Sequence, residues 1–118
     1  MMSRAELEQM RHRAAEAAAL LKALSNESRL LILCTLAGRE MSVSELNEHI
    51  PLSQSALSQQ LAVLRREGLV ETRREAQVIY YSVAPSSALR VIEVLRELYC
   101  RRPRRSRRPR AGRPSGAP

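Results

Sequence analysis

Residues 52–70 read "LSQSALSQQLAVLRREGLV", and the fold turns on this stretch. Ser53 is a helix-capping residue type and Gly68 a helix terminator. Between them, Leu57, Leu61 and Leu64 recur at helical steps, which at about 100° per residue places them on one side. Ser55, Gln59, Ala62 and Arg66 lie opposite, flanked by Ser58 and, at the N-terminal end, Gln54. An ordinary solvated helix face carries Glu and Lys, whereas this one is short, polar and almost uncharged where the helix begins. DNA reading needs that combination, because recognition helices touch base edges with their N-terminal residues. Gln pairs bidentately with adenine, Ser donates or accepts, and a small apolar group fits the thymine methyl.

Working outward, Ser42-x-x-Glu45 is a capping box that opens a short helix ending before Pro51. After Gly68 the period changes. "LVETRREAQVIYYSV" holds Val70, Thr72, Val78, Ile79, Tyr80, Tyr81 and Val83 around a polar centre, which predicts a two-stranded hairpin with its tip near Glu75-Ala76. Its Arg73, Arg74 and Gln77 suit phosphate or minor-groove contacts. Further upstream, Ser3-x-x-Glu6 caps a long helix with Leu7, Met10, Ala14, Ala17, Leu21 and Leu24 in one stripe, and Asn26 caps a second from about Glu27 to Ala37, stopped by Gly38. Pro85 and Ser86 open a last helix with Leu89, Ile92, Leu95 and Tyr99 in line. Val91, Val94 and Leu98 widen that stripe beyond the needs of one small domain, which points to a partner subunit more than to a buried helix. The order is α-α-α-α-β-β-α: mainly α with a β-hairpin wing, a winged helix-turn-helix.

Composition agrees. The chain of 118 residues is one domain's worth, 44% apolar and only 3% aromatic, without Trp or Phe, which favours packed helices over a β-sandwich. The net charge of +8 resides in one place. Residues 101–118 hold eight Arg and no acid, leaving twelve Lys+Arg against twelve Glu in residues 1–100. The expected organisation is therefore a DNA-binding and dimerisation domain over 1–100 and a disordered Arg/Pro-rich tail over 101–118 that adds sequence-independent phosphate contacts. The start "MMSRAELEQMRHR" lacks an apolar signal region, and no apolar run approaches the ~18 residues that span a bilayer. A cytoplasmic protein, with no membrane partner and with thiols kept reduced, is expected.

There are two cysteines, Cys34 in "LILCTLAG" and Cys100 in "ELYCRR". On the residues alone, Cys34 reads as readily as a small core residue as it does as a reactive thiol. Its apolar neighbours disfavour the thiolate, whereas Arg101 and Arg102 beside Cys100 favour it against the helix C-terminal dipole. No His lies in either cysteine segment to activate and orient a substrate, so no enzyme is expected.

"LKALSNESRLLILCTLAG", the segment from Met41 to Val83 and the closing helix together resemble the ArsR/SmtB family of homodimeric bacterial repressors. The resemblance implies a winged-helix homodimer with its first and last helices at the interface. It also implies binding to double-stranded DNA at an inverted-repeat operator, and release by an inducer. The wing departs from the family in lacking a turn glycine. Arsenic- and cadmium-type members carry Cys-Val-Cys where this chain has Ser42-Val43-Ser44, and serine hydroxyls do not replace soft thiolates. Zinc-type members use Asp and His on the last helix; residues 85–99 contain neither. His12 and His49 read as isolated surface or helix-end residues. No metal site of either type and no cofactor are expected. The persulfide- and redox-responsive subgroup (BigR/SqrR type) is more similar, with one Cys in a "CTL" context of the second helix and one near the end of the last. That resemblance implies that Cys34 and Cys100 are joined by a disulfide or polysulfide when reactive sulfur species or oxidants arrive, releasing DNA. Three alternatives remain open: a soft-metal or arsenite sensor using the same thiols, a ligand-independent DNA-binding regulator, and an activator that works by displacing another protein.

Overall fold

Side-chain caps start four of the five helices. Ser3 Oγ accepts from the Glu6 N–H at 3.1 Å while Glu6 Oε1 accepts from the Ser3 N–H at 2.8 Å, and Ser42 with Glu45 repeats the exchange at 3.2 and 2.9 Å. Asn26 Oδ1 accepts from Arg29 N–H at 3.0 Å and Ser53 Oγ from Ala56 N–H at 3.1 Å. The fifth helix differs: Ser86 stands at its N-cap without a cap bond, and its hydroxyl donates to the Ala84 carbonyl at 3.2 Å. In this computed structural model, which describes residues 1–100, the order is α1 (Arg4–Leu24), α2 (Glu27–Leu36), β1 (Met41–Ser42), α3 (Val43–His49), α4 (Gln54–Arg66), β2 (Val70–Glu75), β3 (Val78–Val83) and α5 (Ser87–Tyr99). The basic tail expected over 101–118 lies outside the described residues.

The sheet corrects the expected order. It has three strands rather than two, arranged β1-β3-β2, with β1 antiparallel to β3 through Met41↔Tyr81 and Ser42↔Tyr80. Nothing in "MS" reads as a strand. These residues become one because β3 leaves an open edge whose backbone groups need partners. The hairpin itself follows the expected register, Val70↔Val83 through Glu75↔Val78, but its two-residue turn is Ala76-Gln77, one position beyond the expected tip. Ala76 has φ 57°, the left-handed region that glycine ordinarily fills in hairpin turns. Gly68, with φ 77°, ends α4 as expected.

Ile32, Leu33, Leu36, Leu46, Leu57, Leu61, Leu64 and Ile92 are fully buried. They bind α2, α3, α4 and α5 into one core, closed beneath the wing by Val70 and Val83. Each such side chain contributes about 1.5–3 kcal/mol by leaving water. The stripe on α1 is different. Only Leu24 is buried, while Leu7, Met10 and Leu21 face solvent, as do Val94, Leu98 and Tyr99 on α5. Among the described residues no helix is long and apolar enough to cross a membrane.

Candidate nucleic-acid interface and thiol pair

With Leu57, Leu61 and Leu64 buried, α4 turns Gln54, Ser55, Ser58, Gln59, Ala62 and Arg66 outward, all exposed. Two polar side chains, through three hydrogen bonds, hold the helix in that orientation. Asn47 Nδ2 donates to the Leu52 carbonyl at 2.8 Å and pins the turn between α3 and α4. The half-buried Arg29 donates through Nη1 to the Ala23 carbonyl at 2.9 Å and through Nε to Gln60 Oε1 at 3.4 Å. One guanidinium thus joins the end of α1, the start of α2 and the middle of α4. The sequence reading missed both residues, because each acts on a segment whose position only the fold supplies. Their sequence signal is faint: an Asn and an Arg in otherwise ordinary helix positions.

On the wing, Gln77 sits exposed in the turn and Arg74 exposed two pairs from it. Arg73 is also solvent-accessible but is occupied. Its Nη2 and Nε donate to Glu40 at 2.9–3.2 Å and its Nη1 to Glu75 at 3.0 Å. Its guanidinium carbon lies 4.9 Å from the centre of the Tyr80 ring. These hydrogen bonds hold the Glu40 carboxyl below its ordinary pKa and raise that of Arg73.

The two cysteines, far apart in the chain, lie on elements that pack together, Cys34 in α2 and Cys100 at the end of α5. Cys34 is half-buried against the core and Cys100 is exposed at the C-cap of α5; both are free thiols. Burial raises the Cys34 pKa first, and the charge of a Cys100 thiolate raises it further. Arg96 opposes them. Arg96, which the sequence did not single out, stands one helical turn before Cys100, whose N–H donates to its carbonyl at 2.8 Å. Arg101 and Arg102 lie outside the described residues.

Ser42 spends its hydroxyl on the α3 cap, His12 sits 3.3 Å from Glu8, and His49 lies in the last turn of α3. Among the described residues no group of three or more His, Cys, Asp or Glu is placed to hold a metal ion.

A helix-turn-helix with a wing defines a DNA-binding regulator, and comparison with known proteins identifies its family. Residues 26–72 match the model described as "Bacterial regulatory protein, arsR family". The chain is 52% identical over 94 residues to the transcriptional activator HlyU of Vibrio cholerae, covering 80% of this chain and 87% of that protein. It is 50% identical over 91 residues to the biofilm growth-associated repressor of Agrobacterium fabrum, covering 77% and 78%. The crystal structure of the regulator HlyU from Vibrio vulnificus superposes with a TM-score of 0.76 at 52% identity, over 80% of this chain and 98% of that one. The chain belongs to the ArsR family of bacterial regulatory proteins. It is a winged-helix transcriptional regulator, not an enzyme.

Proposed function

We propose that this protein is a cytoplasmic homodimeric repressor whose grip on an inverted-repeat operator is released when Cys34 and Cys100 become bridged. The observation that carries the reading is the packing of α5 on α2, which puts the two cysteine-bearing segments side by side, and a thiolate at Cys100 would raise the Cys34 pKa. The dimer is supported by the large apolar side chains left exposed at regular helical steps on α1 (Leu7, Met10, Leu21) and α5 (Val94, Leu98), the kind of surface that marks an interface. Two copies related by a two-fold axis would present two α4 helices and two wings, matching an operator of the same symmetry.

Exposed Cys100 is the first nucleophile. Its thiolate attacks an organic persulfide, forms an S–S bond and expels the organic thiolate. Cys34 then displaces hydrosulfide from that perthiol, closing a disulfide. The two thiols lose two electrons and the persulfide sulfur takes them up. A bridge loosens DNA only by favouring a dimer geometry that fits the operator poorly, with a coupling of about 1–3 kcal/mol, or roughly five- to 150-fold in affinity.

The test compares operator affinity and intact mass for wild type, Cys34→Ser and Cys100→Ser, reduced and persulfide-treated. Both variants should bind operator and keep it after treatment, while wild type releases it. A single variant that responds like wild type returns Cys34 to the role of a core residue. Release by arsenite alone, with persulfide inert, would assign the pair to soft-metal sensing.

A further inference from the structure

We propose that Arg73 is a positioning residue: it clamps the wing to the end of the cysteine-bearing helix α2, and the wing's phosphate contact falls to Arg74. The strand order carries the argument. In the β1-β3-β2 sheet, Arg73 on β2 is paired with Tyr80 on β3, and Tyr80 with Ser42 on β1. The guanidinium extends from an outer strand over the Tyr80 ring on the central one and meets Glu40, two residues before Ser42. A guanidinium has donors along its edge and a face for stacking, and all three nitrogens and the face are engaged here. Glu40 follows Gly38 and Arg39 at the end of α2, so the clamp makes the wing follow that helix.

The charges point the same way. Arg73 faces two carboxylates, Glu40 and Glu75, so the cluster as a whole is negative and a phosphate would have to displace both. Arg74 is the next residue on the strand, on the other face of the sheet. It is exposed and, among the described residues, makes no ion pair. A basic dipeptide in the sequence thus divides into one structural cation and one available cation.

The inference rests on α4 and the wing forming the DNA face, and Gln59→Ala serves as the control for that premise. Operator affinity and its salt dependence are measured for full-length Arg73→Lys, Arg73→Gln, Glu40→Gln and Arg74→Gln at a temperature where all are folded by circular dichroism. A phosphate contact is served by lysine as a point charge, whereas a forked, stacked clamp is not. Both Arg73 variants and Glu40→Gln should therefore weaken operator binding alike, by about fivefold, with the salt slope unchanged. Arg74→Gln should flatten the slope by about 0.9 for each phosphate left unneutralised. The Glu40 variant is the sharpest arm: removing an acid beside DNA should tighten binding if Glu40 only masks a cation, and weaken it if Glu40 anchors the wing. Arg73→Lys at wild-type affinity, or Glu40→Gln binding more tightly, overturns the clamp. So does wild-type binding by all four variants while Gln59→Ala loses operator preference. If Gln59→Ala also keeps full preference, the DNA-face premise has failed, and the clamp falls with it.

Discussion

The two sides of this molecule treat the same residue type in opposite ways. On the α4 side, every leucine in the stripe is fully buried, and the outward face is left to Ser, Gln, Ala and one Arg. On the α1–α5 side, the stripes are as regular, yet Leu21 is 59% exposed, Leu98 64% and Tyr99 80%. Helical periodicity of apolar residues therefore shows that a face is meant to be covered without showing by what. Where a short helix is tethered through Asn47 and Arg29, its own chain covers it. On α1 and α5 the chain's own core leaves part of the stripe bare.

The strongest way to break that contrast is Leu98→Glu. Burying a leucine is worth about 1.5–3 kcal/mol, and two-fold symmetry counts it twice, so the dimer should lose about 3–6 kcal/mol. Sedimentation should then show a folded monomer that melts below the wild-type dimer, because the partner's stabilisation is lost, with operator affinity down by at least about 100-fold. Unchanged sedimentation would mean that the uncovered face of α5 is not the interface.

A smaller effect sharpens the other side. Gln59→Ala and Ser55→Ala should fold and dimerise normally, yet each should lose about 1–3 kcal/mol of preference for operator over random DNA. Competition binding with both DNAs measures it, and full preference in both variants would remove this face from the major groove.

The smallest expected change is at the wing tip. Ala76 holds φ 57°, a conformation costing an L-residue about 1 kcal/mol or more, so Ala76→Gly should stabilise the folded state by about 0.5–1 kcal/mol after the extra entropy of the unfolded chain. Thermal unfolding reads this directly; a lower melting temperature would show that the methyl group is favourable where it stands.

Much of the fold was legible because its determinants are local. Ser3, Asn26, Ser42 and Ser53 cap helices at the positions their spacing indicated, since a cap acts within three residues of itself. The outward face of α4 was legible for the same reason: once the leucines pack, geometry leaves only one side for the others. The strand at Met41-Ser42 was not, because it exists only beside the open edge of β3. Nor was the engagement of Arg73 by Glu40, a carboxylate far away in the chain.

The sequence by itself thus determined the helices, the hairpin, the outward polar face of α4 and the presence of two thiols in contrasting surroundings. These follow from periodicity, capping and side-chain chemistry over a few residues. Tertiary structure alone decided that α5 returns to α2, and that among the described residues Arg96, from a distant part of the chain, is a cation felt by Cys34. It also decided that Glu40 engages Arg73. Each of these needs two distant segments to meet, and the free energy that holds them together belongs to the core leucines and isoleucines, not to the residues that meet.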